Sequence, residues 1–248
     1  MLPSGTTLKN LRTLWGVFVD EDSPLKNGLD RLTSLRKLKL AFQLKLSQQK
    51  ALAGWILQLN HLQSLRLRSI DEMGEPLELQ LKPLSSLKNL SSLYLFGKLK
   101  DPSIMNQLPK SLTDLTLSAS QLSDDPMPKL GELPKLRSLC LYSGSYNGTN
   151  MVCSMEGFAI LRVLKLWNLD TLESWDVHES AMKNLRELEI RSCNNLKSAT
   201  GLTCLETLQE LKLTTMPEDF NQKIHEEFAE AEKQYPNRVI HSPTLITC

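Results

Sequence analysis

The 248-residue sequence lacks several features that would place it in a functional class at once. Its 29 Lys and Arg residues nearly balance 28 Asp and Glu residues, and a formal charge of +1 gives no general attraction to nucleic acid or anionic membranes. No apolar run is long enough for a membrane helix, and the first residues show no signal-peptide pattern. The five cysteines are odd in number and form no CxxC pair, which favours a reducing compartment. We therefore expect a cytoplasmic protein that has no membrane span and binds no nucleic acid.

Recognisable catalytic motifs are also missing. The sequence contains no GxxxxGK[ST] or GxGxxG phosphate loop, no HExxH and no GxSxG. The four histidines are scattered along the chain, so no metal site is indicated. Cys140 is expected to be an ordinary solvent-facing cysteine rather than a reactive one. We predict no catalytic, cofactor-binding or metal-binding residues, and no enzyme activity.

What the sequence does contain is one leucine pattern, LxxLxxLxL, repeated along most of its length. The clearest copy ends in Leu139 and Leu141, and one copy near residue 14 is degraded, with Gly16 where its last leucine should be. The third leucines of the copies follow one another at intervals of roughly 22 to 28 residues, which is typical of leucine-rich repeats. They are Leu14, Leu38, Leu65, Leu93, Leu115, Leu139, Leu164, Leu188 and Leu211.

This pattern predicts an α/β solenoid of horseshoe form. The last two leucines of each copy alternate with other residues, so they lie on one face of a short strand. One repeat cannot bury that face alone, and stacked repeats bury it together. We expect a parallel sheet on the concave side, with irregular loops and short helices on the convex side. Residues 1–216 would hold about nine repeats.

The segments between and beyond the strands carry weaker signals. A short helix is predicted over residues 47–60 with Ser47 as its N-cap, residues 121–130 are predicted to be a loop, and residues 143–157 the most flexible stretch. The first repeat is incomplete or uncapped, so the array either continues another domain or caps itself raggedly. Residues 217–248 are predicted to form a C-terminal capping helix and a loosely held tail. The helix carries an apolar stripe through Phe220, Ile224, Phe228, Ala231 and Tyr235, and docking of a partner is the alternative reading.

Residues that flank the strand leucines should point to the open, concave side of the sheet. There the sequence predicts a basic patch, an aromatic middle and an acidic end that holds Glu187, Glu189 and Glu210. Aromatic side chains and arginines dominate interface energetics, so this face is the predicted protein-binding site, with phosphate contact as a minor alternative. The predicted partner-binding residues are Lys37, Lys39, Arg66, Arg68, Tyr94, Phe96, Tyr142, Trp167 and Arg191.

Residues 121–216 resemble a known family. The resemblance rests on Ser123–Met127 (SDDPM), Leu133-Pro134, Leu164–Trp167 (LKLW) and Ile190–Cys193 (IRSC), together with the repeat itself. These stretches are similar to the C-terminal leucine-rich repeats of plant coiled-coil nucleotide-binding leucine-rich-repeat (NLR) disease-resistance proteins. Residues 1–120 fit the same family more loosely.

The resemblance implies a non-catalytic recognition domain of an intracellular plant immune receptor. In that family the repeats sense pathogen effectors, directly or through a guarded host protein, and restrain the nucleotide-binding domain of the same receptor. The family's nucleotide site and coiled coil have no counterpart here, so no cofactor is assigned. Two alternatives remain: a stand-alone leucine-rich-repeat inhibitor or decoy, and a substrate adaptor for ubiquitin ligation, which would need an F-box-like segment that this sequence does not show.

Overall fold

The computed structural model describes residues 10–23, 32–234 and 244–247, and the chain divides into two compact units. Unit 1 runs to Ser120 and unit 2 begins at Gln121. The two are described separately below.

Unit 1 is built around a parallel sheet of five strands. In chain order its strands are β1 (Thr13–Val19), β2 (Lys37–Phe42), β3 (Ser64–Ser69), β4 (Glu78–Leu79), β5 (Ser92–Phe96), β6 (Lys98–Leu99) and β7 (Asp114–Ser118). The sheet order is β1-β2-β3-β5-β7, while β4 and β6 pair with each other outside it. Helix α1 (Leu46–Ile56) and a 3-10 helix (Pro102–Gln107) lie in the connections.

The leucines of unit 1 stack in register from strand to strand. Leu38, Leu65, Leu93 and Leu115 are direct neighbours across β2, β3, β5 and β7, and the second leucine of each strand is aligned in the same way. All of them are buried. This register confirms the predicted repeat architecture in unit 1.

Just before β1, β2, β3 and β5, one carbonyl oxygen accepts two hydrogen bonds. The N–H groups of Gln63 and Ser64 donate to the carbonyl of Arg36 at 2.8 and 3.0 Å. The carbonyl of Gln63 accepts from Ser91 and Ser92 in the next repeat at 2.9 and 3.0 Å. A carbonyl oxygen has two lone pairs, so this arrangement satisfies both donors and fixes the register before the strand begins.

The first strand corrects one detail of the predicted pattern. Gly16 has φ of +72° and forms a bulge, so that Val17, not Gly16, is the neighbour of Leu40. Val17 was expected on the open face, and that expectation is wrong. The extra residue turns Val17 toward the leucine side and leaves Phe18 aligned with Ala41.

Helix α1 is confirmed with different ends. It runs from Leu46 to Ile56 instead of over residues 47–60, has Lys45 rather than Ser47 as its N-cap, and buries Leu52, Trp55 and Ile56. No sequence pattern indicates the role of Gln49, which is buried in the same helix. Its side chain donates to the carbonyls of Leu44 (2.9 Å) and Glu78 (3.0 Å) and accepts from the N–H of Gln80 (2.8 Å), which ties α1 to β4.

Unit 2 contains two parallel sheets. Its strands are β8 (Ser138–Leu141), β9 (Asn150–Cys153), β10 (Val163–Trp167), β11 (Ser174–Val177), β12 (Glu187–Arg191), β13 (Ser198–Thr200), β14 (Glu210–Thr214) and β15 (Thr244–Thr247). The inner sheet has the order β8-β10-β12-β14-β15, and β9, β11 and β13 form a second sheet. Helices α2 (Met127–Gly131) and α3 (Glu218–Gln234) and a 3-10 helix (Leu202–Cys204) complete the unit. The leucine register of β8, β10, β12 and β14 repeats that of unit 1.

Strand β9 of the second sheet and helix α2 each contradict a sequence prediction. Residues 143–157 were expected to be flexible, yet β9 buries Met151 and Cys153 and pairs with β11. Residues 121–130 were expected to be a loop, yet α2 begins within them. The carboxylate of Asp125 accepts hydrogen bonds from the N–H of Met127 (2.9 Å) and Val152 (2.7 Å), which joins this segment to β9. Glycines and serines around β9 obscured its short alternating pattern.

The C-terminal region contains the predicted helix and an additional strand that was not predicted. Helix α3 buries Phe220, Ile224 and Phe228 along the expected stripe, and Tyr235 lies outside the described residues. Residues 244–247 were expected to be a loosely held tail, but they pair in parallel with β14, so this expectation is wrong for them. Residues 237–243 and 248 of that predicted tail are outside the described residues. Strand β14, helix α3 and strand β15 together have the form of one more repeat. Helix α3 lies beside the 3-10 helix of the preceding repeat.

Two glycines give a direct test of this geometry. Gly201 has φ of +76°, and a Cβ there would collide with the carbonyl oxygen of Val177, whereas Gly74 has φ of +85° and open space around it. We expect Gly201→Ala to lower the free energy of unfolding by about 3 kcal/mol or more, because strain and collision add. Gly74→Ala should cost only about 1 kcal/mol from strain alone. Urea unfolding of both variants measures the difference, and equal losses would contradict the packing of β11 against the turn at Gly201.

Candidate functional site

The exposed face of the unit 1 sheet, called here the unit 1 face, brings six predicted site residues together. In register across the strands, Lys37 neighbours Ser64, Lys39 neighbours Arg66, and Arg66 neighbours Tyr94. Arg68 likewise neighbours Phe96. The sheet spacing of about 4.8 Å between strands places each arginine directly beside an aromatic ring.

Each of these two arginines lies over an aromatic ring. The guanidinium carbon of Arg66 is 3.9 Å from the ring centroid of Tyr94, and that of Arg68 is 4.9 Å from the centroid of Phe96. The Nε atoms of both arginines are buried without a hydrogen-bond partner in the described part of the chain. Stacking on the rings, rather than hydrogen bonding through Nε, therefore orients the two guanidinium groups.

The charge of the unit 1 face is strongly one-sided. Among the residues that the structure describes, Lys37, Lys39, Arg66 and Arg68 form no ion pair within 4.0 Å. The one acidic residue that β2, β3, β5 and β7 place on this face is Asp114, whose carboxylate accepts a hydrogen bond from Thr113 at 2.6 Å. Four positive charges and one negative charge leave this face at +3.

Two exposed aromatic residues escaped the sequence prediction as site residues. Trp15 is 63% exposed and Phe18 is 44% exposed, and both belong to β1 beside the Gly16 bulge. The sequence signal that could have indicated their exposure was Gly16, which interrupts the alternating pattern of the strand. Because Phe18 aligns with Ala41, it extends the row that contains Arg68 and Phe96.

The exposed face of the inner sheet in unit 2, called the unit 2 face, holds the other three predicted residues. The rings of Tyr142 and Trp167 are stacked, with centroids 4.5 Å apart and planes inclined by 21°. The guanidinium carbon of Arg191 and the Nζ of Lys165 each lie 5.5 Å from the Trp167 ring centroid. The indole Nε1 of Trp167 is buried without a hydrogen-bond partner among the described residues.

Unlike the unit 1 face, the unit 2 face neutralises its own charges. Lys165 Nζ lies 2.9 Å from a carboxylate oxygen of Glu189, and this hydrogen bond raises the pKa of Lys165. Strands β12 and β14 also bring Glu187, Glu210, Arg191 and Lys212 to this face. Three cations and three carboxylates give a net charge of zero.

The cysteines do not offer a reactive thiol on this face. Cys140 was expected to be exposed, but it is only 8% exposed, so that expectation is wrong. It lies in register with Lys165, whose long side chain comes from the adjacent strand. Burial raises the pKa of Cys153 to about 12 and that of Cys193 to about 11, so both thiols stay protonated at neutral pH. No cluster of three His, Cys, Asp or Glu residues suited to a metal ion occurs in the described ranges.

Comparison with known proteins identifies the repeat. A family profile described as a leucine-rich repeat region matches residues 1–245. The chain belongs to the leucine-rich-repeat family. A solved leucine-rich-repeat protein of Leptospira interrogans shares the fold, with a TM-score of 0.56 and 25% identity, covering 82% of this chain and 49% of that chain.

Curated relatives of this leucine-rich-repeat chain are plant disease-resistance proteins. Disease resistance protein RPP8 of Arabidopsis thaliana is 33% identical over 224 residues, covering 88% of this chain and 24% of the relative. Disease resistance protein RPH8A of the same plant is 31% identical, with the same coverage. These relatives confirm the family resemblance found in the sequence, and the chain spans about a quarter of their length. No helix in the described part is both long and apolar enough to cross a membrane.

The Lys165–Glu189 pair can be measured by a double-mutant cycle. The two side chains are 31% and 15% exposed, so we expect a coupling of about 1 kcal/mol between Lys165→Met and Glu189→Gln. The matched control is Lys129–Glu132, a pair three residues apart with both side chains more than half exposed, where about 0.3 kcal/mol is expected. Urea unfolding of the single and double variants supplies both values. A coupling for the first pair no larger than the control would contradict its role in organising the unit 2 face.

Proposed function

We propose that this chain is the non-catalytic protein-recognition domain of a cytoplasmic plant immune receptor, acting without a cofactor. One observation carries the proposal: both sheet faces hold aromatic rings with cations beside them, on the side opposite the buried leucines. None of these aromatic side chains is among the buried residues of the core. The disease-resistance relatives supply the biological setting.

The faces suit a protein partner for physical reasons. Tyrosine, tryptophan and arginine are the residues that most often dominate interface energies. Here they are already held in place by stacking, so binding would immobilise few additional side chains and would lose less entropy. The partner would be a pathogen effector or a host protein that the effector modifies.

A second role, restraint of the receptor before it meets a pathogen, fits the same faces. The relatives are about four times as long as the matched region, so a full-length receptor of this kind has further chain available to contact these faces. We infer that one face contacts a nucleotide-binding domain in the resting receptor. We also infer that residues 1–216 form the repeat domain and that residues 217–248 cap it as one further repeat-like unit, which the pairing of β15 with β14 supports.

Alanine substitutions can separate the two faces. We expect Tyr94→Ala with Phe96→Ala, or Tyr142→Ala with Trp167→Ala, to abolish the defence response of plant tissue that expresses the receptor, because each pair removes a preorganised contact surface. Leaf cell death after delivery of the cognate pathogen is the measurement. The control is Met73→Ala with Val152→Ala, which removes two exposed apolar side chains outside both faces.

The outcomes distinguish sensing from restraint. Loss of response with normal protein abundance supports sensing by that face. A response without any pathogen indicates that the face restrains the receptor. A response unchanged in both double variants would contradict the assignment of recognition to these faces.

A further inference from the structure

The unit 1 face carries a concentrated positive charge, although the protein as a whole is nearly neutral. It carries four cations and one carboxylate, although the whole chain has a formal charge of only +1. The excess charge is therefore concentrated on one sheet surface. Desolvated or closely spaced positive charges repel one another unless a counter-charge is supplied, so such a concentration indicates an anionic partner.

The spacing of the cations is set by the strands. Arg66 and Arg68 are two residues apart on β3, so their side chains emerge about 7 Å apart on the same side. Lys37 and Lys39 have the same spacing on β2, the neighbouring strand about 4.8 Å away. The result is two rows of two cations, which matches carboxylates on alternate residues of an extended segment.

The two arginines are also fixed in orientation. The guanidinium carbon of Arg66 lies over the Tyr94 ring at 3.9 Å and that of Arg68 over the Phe96 ring at 4.9 Å, and each Nε is shielded from solvent. The terminal N–H donors at the edges are the groups left for a ligand. A fixed planar guanidinium can hold a carboxylate through two parallel hydrogen bonds, which a flexible lysine cannot do.

The unit 2 face supplies the internal comparison. It also has cations beside an aromatic ring, but Glu189 already lies 2.9 Å from Lys165, and its charges sum to zero. An acidic partner would have to compete with those carboxylates. Among the described residues, nothing competes in this way for Arg66 or Arg68.

We propose that the unit 1 face binds an acidic segment of a protein partner, with carboxylates held by Arg66 and Arg68 and flanked by Lys37 and Lys39. This inference rests on the proposed recognition function and names the chemistry of the partner. A protein segment fits better than a nucleic acid because the cations lie on only two strands. On the neighbouring strands the same face holds aromatic rings, namely Tyr94, Phe96 and the exposed Phe18. Those rings offer apolar contact to the residues between the carboxylates.

The binding test uses the full 248-residue chain and a fluorescein-labelled peptide of alternating glutamate and serine. Fluorescence anisotropy at low ionic strength gives its affinity. We expect the same peptide with glutamine in place of glutamate to bind about tenfold more weakly or worse, because neutral amides lose the charge-assisted hydrogen bonds. Affinity for the glutamate peptide should fall steeply as salt is added.

Three variants locate the site. Arg66→Gln with Arg68→Gln should weaken binding of the glutamate peptide by about tenfold or more. Lys50→Gln with Lys110→Gln removes the same charge from exposed positions of unit 1 outside the face and should change affinity by less than about twofold. Arg66→Lys with Arg68→Lys keeps the charge but loses the stacked planar groups, and should still weaken binding by about threefold or more. Thermal unfolding of each variant confirms that it is folded.

Several results would overturn the proposal. One is equal binding of the glutamate and glutamine peptides, and another is an equal loss in the Lys50 and Lys110 control. Tighter binding of inorganic polyphosphate than of the glutamate peptide, lost with Arg66→Gln and Arg68→Gln, would mean phosphate recognition instead. Self-association of the chain that these substitutions abolish and the peptide does not would mean that a second copy occupies the face. If the peptide fails to bind while the Tyr94 and Phe96 double variant still abolishes the defence response, the acidic partner is wrong and the proposed function stands.

Discussion

The in-register stacking of leucines on parallel strands is the constraint on which both units depend. Each strand offers leucines on one side only, and they are buried only if the neighbouring strand places its own leucines at the same height. A backbone carbonyl before the strand fixes this register by accepting hydrogen bonds from two N–H groups of the next repeat. The carbonyl of Arg36 does so in unit 1 and that of Arg137 in unit 2. A slip of one residue would expose every leucine of the strand and lose both hydrogen bonds, so hydrophobic burial and backbone hydrogen bonding select the same register.

This constraint leaves the opposite side of each sheet free to vary. Once the leucines and the carbonyl fix the register, residues between the leucines align into rows whatever their identity. In unit 1 those rows place arginines beside aromatic rings, and in unit 2 they place Lys165 beside Glu189 and Trp167 beside Tyr142. The same backbone therefore presents a cationic surface in one unit and a neutral one in the other. Residues on this side can therefore change at little cost to the fold.

The sequence predicted the features that the repeat determines, and missed those that depend on one local conformation or a distant contact. The leucine strands and the composition of both faces follow directly from the period. The bulge at Gly16 does not, because one left-handed residue shifts Val17 and Phe18 to opposite sides. Strand β9 is too short to stand out among glycines and serines, and the burial of Gln49 depends on backbone groups of β4 about thirty residues away. The pairing of residues 244–247 with β14 likewise arises from tertiary contact rather than from local pattern.

The most direct test of this account compares two adjacent residues of β5 that lie on opposite sides of the sheet. Leu93 is fully buried in the leucine stack, and Tyr94 lies on the unit 1 face against Arg66. The account predicts that Leu93→Ala lowers the free energy of unfolding by about 3 kcal/mol, whereas Tyr94→Ala lowers it by about 1 kcal/mol. Urea unfolding of the two variants under the same conditions gives both values. Equal losses, or a larger loss for Tyr94→Ala, would contradict the division of each sheet into a buried side that stabilises the fold and an exposed side that contributes little to it.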